Sequence, residues 1–410
     1  MLALSAAGQD TPSQPPQTRP PRHGGGGPGK YTIAQATSDR AQLNTIAFDG
    51  LAFITGDFNC DTFLPPGKVS DFFGFQNMRD VDGAAMGHNT DFLTRVANNV
   101  LRILNAEQKA ELVELGKAQA PQIHDLALKR LPLIQAFCRN LSGDFPSGSQ
   151  GLNREAVMKY TSGIFELSGE LAFQRADVYG RIVGSLTDAQ KAQFAKLKFG
   201  DSRTWPDVPE GFDKRSVSHP VHVAMMTYAS EFFSWYAGSV ESDTYFCPEG
   251  HGTYFGSFYM KDAPAVHQRN YSISTALTGD SGEAFLAELN PTQREQVASL
   301  VDLQRKDLQD IVSTRRAVAT ELRQFMSGGS PGKEKVLELC RHYGGLDGEL
   351  SFYYATHFAR VNKTLTSEQR AALKKLRGIE GFTAKNPFVY ADPITSPTIP
   401  NTDFLFVPSA

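Results

Sequence analysis

No stretch of about eighteen apolar residues occurs in the 410-residue sequence, so no transmembrane helix is expected. The net charge of −3 leaves no basic excess, and with it no electrostatic footprint for nucleic acid. The compact signatures of common catalytic sites are missing too. There is no Gly-x-Ser-x-Gly, no His-Glu-x-x-His, no Glu-x-x-His pair of a di-iron bundle and no phosphate loop. Apolar–polar alternation of the strand type is scarce, which argues for an all-α fold. Composition is that of an ordinary globular protein, and the length alone corresponds to two or three domains.

What is present is present twice. DTFLPPGKVSDFFGFQNMRD, from Asp61 to Asp80, recurs without a gap as DTYFCPEGHGTYFGSFYMKD, from Asp243 to Asp262, 182 positions on (243 − 61). At the same spacing Thr45 falls on Thr227, Ala47 on Ala229 and Gly56 on Gly238. Gly169-Glu170-Leu171-Ala172-Phe173 recurs as Gly348-Glu349-Leu350-Ser351-Phe352, and Arg181 as Arg360, 179 positions on (349 − 170). Self-similarity of this kind marks an internal duplication. The expected architecture is two tandem, internally duplicated helical domains with aromatic-rich connecting loops. The first spans 41–200, the second 222–380, and 201–221 links them.

The ends have their own character. Leu2-Ala3-Leu4 followed by Ser5-Ala6-Ala7 reads as the tail of a secretory signal with its small-residue cleavage site. The charged segment that would precede it is missing, as it would be if the start fell inside a longer signal. A Pro, Gln and Gly-rich stretch then runs to Lys30, with too little apolar surface to fold. Residues 1–40 are therefore read as residual signal and disordered linker, and 381–410 as an extended Pro-rich tail over the surface. Export to the periplasm or the extracellular space is the expectation.

Four Leu-Thr/Asn-x-x-Gln motifs begin at Leu104, Leu186, Leu289 and Leu365. Each has a local explanation. Thr or Asn at the N-cap accepts from a backbone N–H, and Gln three residues on reaches back to the cap's own N–H. Residue N4 is Lys109, Lys191, Arg294 or Arg370, so no hydrophobic staple forms. The motifs resemble the LTxxQ signature of small periplasmic helical proteins of the Spy and CpxP type. The resemblance implies a bacterial periplasmic, helical, non-enzymatic, client- or metal-responsive protein, chaperone-like in kind. Two repeats forming a cleft would in turn offer a place for protein clients or an apolar ligand between them.

A second class of function rests on side chains of the second repeat. His219, His222, Cys247, His251 and His267 offer imidazole and thiolate ligands suited to copper or zinc, for a metal- or cofactor-dependent enzyme. The first repeat has Thr37, Arg40 and Val69 at the places of His219, His222 and His251. Four cysteines in an exported chain fit two disulfides, of which Cys60–Cys138 and Cys247–Cys340 are the simplest pairing. None of the four occupies an equivalent position: Cys60 lies opposite Ser242 and Cys340 opposite Thr161. Asp57-x-Asn59-x-Asp61 opens like a calcium loop, but Thr62 and Lys68 stand where that loop needs Gly and Glu.

The duplicated polar residues are read as structural anchors. Asp61 and Asp243 are expected to cap a helix or an Asx turn. Glu170 and Arg181, like Glu349 and Arg360, lie three helical turns apart on one face. Each Glu is expected to meet a cation of the aromatic stretch, Arg79-Asp80 or Lys261-Asp262. The aromatic runs themselves are read as core plugs in preference to a ligand pocket.

Overall fold

The computed structural model describes residues 33–55, 91–199, 204–246, 279–377, 388–389, 392–393 and 398–406. They are all-α, as the scarcity of alternation predicts. A short turn at Ile33–Ala36 precedes α1 (Asp39–Thr55), α2 (Asp91–Ile103), α3 (Ala106–Ser142), α4 (Arg154–Ser185) and α5 (Asp188–Phe194). There follow α6 (His219–Ala237), α7 (Val240–Phe246), α8 (Gly279–Glu288), α9 (Pro291–Arg323), α10 (Lys333–Thr364) and α11 (Ser367–Arg377). The one strand pairing among the described residues is two residues long, Phe388–Val389 against Asp392–Pro393. No described helix is long and apolar enough to cross a membrane. The aromatic stretches lie outside the described residues, except for Asp243–Phe246, which close α7.

All four helix starts form as their motifs predict. Asn105, Thr187, Asn290 and Thr366 accept from the N–H of Gln108, Gln190, Gln293 and Gln369, whose side chains accept from the caps' own N–H groups. The basic N4 residues have a use that no staple would supply. Lys109 Nζ donates to Gly211 O at 3.0 Å, and Arg294 Nε to Leu289 O at 2.8 Å. Helix α3 runs on through both Pro121 and Pro132.

Capping leaves each glutamine's NH₂ free, and those groups clasp the motifs in pairs. Gln190 Nε2 donates to Gln108 Oε1 at 2.7 Å and to Ile103 O, the end of α2, at 2.9 Å. Gln108 Nε2 donates to Ser185 Oγ, the end of α4, at 2.9 Å. In the second half Gln369 Nε2 donates to Gln293 Oε1 at 2.9 Å and to Glu288 O at 2.7 Å. Gln293 Nε2 donates to Thr364 O at 3.0 Å. Each clasp thus joins two helix ends to two helix starts and satisfies carbonyls that a helix terminus leaves open.

Helices α4 and α10 pack antiparallel at the centre. A Cβ on Gly169 would lie 2.6 Å from Cys340 Sγ, one on Gly344 2.6 Å from Phe165 Cβ, and one on Gly348 2.8 Å from Met158 Cα and 3.1 Å from Thr161. Glycine is required there because the backbones approach too closely for a side chain. Under the 179-residue spacing the contacts map onto one another: Gly169 with Cys340 becomes Gly348 with Thr161, and Phe165 with Gly344 maps to itself.

The outer helices cross over. Helix α1 packs on α8, α9, α10 and α11, all from the second half of the chain. Helix α6, which lies at the 182-residue spacing from α1, packs on α2, α3 and α4 of the first half. The core they share is apolar: Ile46, Phe53, Phe137, Ile182, Phe232, Phe233, Val297, Leu300, Ile311, Val318 and Leu322 are all buried in one cluster. Within the expected extended tail, the described residues near Phe406 turn inward. Residues Asp403–Leu405 form a 3₁₀ turn, and Leu405 and Phe406 are buried. The physical reason is that these two side chains remove apolar surface from water against the start of α4.

Candidate functional site: two buried polar centres

Each half of the bundle encloses a polar centre built from one crossing helix and two long helices. In the first, Tyr228 and Glu231 of α6 sit one turn apart on the face directed at α3 and α4. Glu231 Oε1 lies 3.6 Å from Arg175 Nε, and the Tyr179 hydroxyl donates to Glu231 Oε2 at 2.9 Å. Tyr228 donates to Gln119 Oε1 at 2.8 Å, and Gln119 Nε2 donates to Leu171 O and Gln174 Oε1, both at 2.9 Å. Gln174 Nε2 passes the chain on to Glu170 at 3.3 Å, and Glu170 accepts from Lys333 Nζ at 2.6 Å. The network therefore runs from the buried centre to the surface.

The second centre uses Gln42 and Asp49 of α1, two helical turns apart, with Gln304 of α9 and Tyr354 of α10. Gln304 Nε2 donates to Gln42 Oε1 at 2.8 Å, and Tyr354 donates to Gln304 Oε1. Asp49 is fully buried, and its charge bears on Tyr354. The two centres correspond in sequence. Asp49 and Glu231 lie 182 positions apart (231 − 49), Gln119 and Gln304 lie 185 apart (304 − 119), and Arg175 and Tyr354 lie 179 apart (354 − 175).

The electrostatics make these centres fasteners. Burial, then the Glu231 charge, push the Tyr179 phenol far above its ordinary range. Burial does the same for Tyr228, partly opposed by Arg175, and burial together with Asp49 for Tyr354. All three phenols stay protonated at neutral pH and act as hydrogen-bond donors. Donor meets acceptor inside a low-dielectric interior, where such bonds strengthen one another and a broken one is costly.

A pair of ion pairs joins the halves across α4 and α10. Lys333, the first residue of α10, meets Glu170 of α4, and Arg154, the first residue of α4, meets Glu349 of α10. The Tyr353 hydroxyl also donates to Glu349. Beside them Asp307 of α9 is buried, and burial plus the nearby Glu349 charge push its carboxyl up to about 6.

Arg79, Asp80, Asp61, Lys261 and Asp262 lie outside the described residues, and Glu170 and Glu349 find cations on the opposite long helix. Asp243 is an anchor but not a cap. It lies inside α7, where Thr244 Oγ1 donates to Val240 O at 2.7 Å, and its carboxylate accepts from Arg323 Nη2 at 3.1 Å. An arginine arriving from α9 outweighs the local capping option because it neutralises a buried charge. Arg181 is half-exposed and pairs with Glu111 at 2.9 Å and with Asp177. Arg360 is exposed.

Of the proposed metal ligands, His219 and His222 occupy the first turn of α6. Burial lowers the His222 pKa, with the Glu210 charge opposing. Cys60, Cys247, His251 and His267 lie outside the described residues, and so, through Cys60 and Cys247, do both anticipated disulfides. Asp49 and Glu231 were missed from sequence, although they stand two residues beyond the Ala47 and Ala229 match.

Compared with protein-family models, with curated proteins and with solved structures, the chain has no significant match.

Proposed function

We propose that the chain is an exported, non-enzymatic helical binding protein of the cell envelope, chaperone-like in holding protein clients. It is built from two tandem copies of one unit whose first helices have changed places. The observation that carries this reading is the paired glutamine clasp, Gln108 with Gln190 and Gln293 with Gln369. It gives the four motifs one common tertiary use and supports the resemblance to LTxxQ helical proteins. The buried centres support it further: their phenols donate to acceptors on neighbouring helices, and burial keeps those phenols protonated near neutral pH.

The test is light scattering of an aggregating, reduced client protein with and without the purified chain. Suppression at a stoichiometric ratio is expected, and none at tenfold excess overturns the reading. A phosphatase fusion that is active only outside the cytoplasm tests periplasmic or extracellular location. A second reading, a copper- or zinc-dependent enzyme of the second repeat, draws on His219 and His222 sharing one helical turn, with His222 held neutral and so ready to ligate. Stoichiometric metal retained through dialysis against a chelator favours it.

A further inference from the structure

The two elbows between the long helices differ, and the difference has an occupant. The α9–α10 elbow is short, closing from a 3₁₀ turn at Gln324–Ser327 through Gly328 to Gly332. The α3–α4 elbow runs from Gly143 to Asn153, and the segment Thr402–Phe406 is seated on it. Arg139, whose counterpart 185 positions on is Gln324, donates from Nη1 to Thr402 Oγ1 at 3.0 Å and to Asp403 Oδ1 at 2.9 Å. Its guanidinium also lies 4.8 Å from the centre of the Phe406 ring. The backbone N–H of Asn153 donates to Leu405 O at 2.8 Å, and Ser149 Oγ donates to Phe406 O at 3.0 Å. Leu405 is 0% exposed and Phe406 3% exposed.

This is the chemistry of peptide recognition. Two main-chain carbonyls are read without regard to sequence, an arginine reads a carboxylate, and apolar floors take two side chains. The segment organises itself for the task, because Asn401 Oδ1 accepts from the Asp403 N–H at 2.8 Å and Thr402 O from the Leu405 N–H at 3.0 Å. We propose that the α3–α4 elbow is a docking site for short protein segments in which a carboxylate is followed within three residues by Leu-Phe, and that Thr402–Phe406 is its resident occupant. A client segment of that chemistry displaces the occupant. The proposal rests on the client-binding reading for the nature of the partner, but the site is testable by itself.

Tethering gives the resident segment an effective concentration that a free peptide must overcome. The probe is therefore a fluorescein-labelled, capped peptide, Asn-Thr-Asp-Phe-Leu-Phe, followed by anisotropy against the full chain. A chain carrying Leu405→Asp and Phe406→Asp empties the site and is expected to bind the probe saturably, at least tenfold more tightly than the unaltered chain. Adding Arg139→Ala is expected to lose at least tenfold of that affinity. Asp403→Lys, which reverses the charge facing Arg139 and keeps the apolar floor filled, provides the second variant should the double change cost the fold, as read by helical circular dichroism. A folded variant that binds no more tightly than the unaltered chain, or is indifferent to Arg139, overturns the proposal. Client protection by the full chain, measured in parallel, is a separate readout: its absence with peptide binding intact contradicts the client reading and leaves the docking site standing.

Discussion

Lys333 meets Glu170 at 2.6 Å, and at the 179-residue spacing Arg154 (333 − 179) meets Glu349 (170 + 179). The same bond is made in both directions across α4 and α10. The two are not equal in environment. The Glu349 side chain is 9% exposed and also accepts from Tyr353, whereas the Glu170 side chain is 27% exposed.

Glu349→Ala is therefore expected to cost about 1–3 kcal/mol, the range for buried hydrogen bonds to a charged group. Glu170→Ala should cost no more than about 1 kcal/mol, as for solvated pairs. Urea denaturation of both variants checks the order, and a larger loss at Glu170 contradicts it.

Close approach of α4 and α10 makes adjacent glycines behave oppositely. A Cβ on Gly344 would lie 2.6 Å from Phe165 Cβ and 2.7 Å from Thr161 O, while one on Gly345 meets nothing within 4 Å. Gly344→Ala should destabilise by about 1–3 kcal/mol through overpacking. Gly345→Ala should stabilise by about 0.5–1 kcal/mol, the helix preference of Ala over Gly. Thermal unfolding of the two single variants decides it.

The clasps predict non-additivity. Gln108→Ala and Gln190→Ala each remove a partner from the same buried pair, so the double variant should lose less than the two losses combined, by about 0.5–3 kcal/mol. The Gln293 and Gln369 cycle should behave alike. Additive losses in both cycles would mean that the glutamines act only as separate caps.

Much of this was legible in sequence because it is local. Asn105 and Gln108 need only each other to start a helix, as do the other three cap pairs. The clasp was not legible, since Gln108 and Gln190 are 82 residues apart and meet only after two helices have folded back. Asp243 beside Thr244 looked like a cap because Arg323 arrives from another helix. The crossing of α1 and α6 had no local signal at all: a recurring stretch of sequence does not say which half of the chain a helix packs on. The buried carboxylates Asp49 and Glu231 were visible in principle at the 182-residue spacing, but a single acidic match carries no mark of burial.

Asp307 gives stability a pH dependence of definite sign. Its folded carboxyl is pushed up to about 6 by burial and by Glu349, with Lys306 and Arg154 opposing and Asp310 adding a little, against an ordinary value of 3.8. The folded chain thus holds this proton more tightly than the unfolded one. That contribution to stability is complete below about 3.8 and is lost as pH rises through about 6. Asp307→Asn should raise Tm at pH 8 and give no such advantage at pH 4. A gain of equal size at both values contradicts the assignment.

The crossing of the first helices is the feature on which the two-unit account turns, and Asp39 offers the most direct view of it. Asp39 opens α1 and pairs with Arg305 of α9 on an exposed surface. A benzoylphenylalanine placed at position 39, photoactivated in the full chain, should crosslink to peptides from Pro291–Arg323, as mapped by mass spectrometry. Crosslinks to Ala106–Ser142, the long helix of its own half, would contradict the exchange and leave α1 packed within the repeat that encodes it.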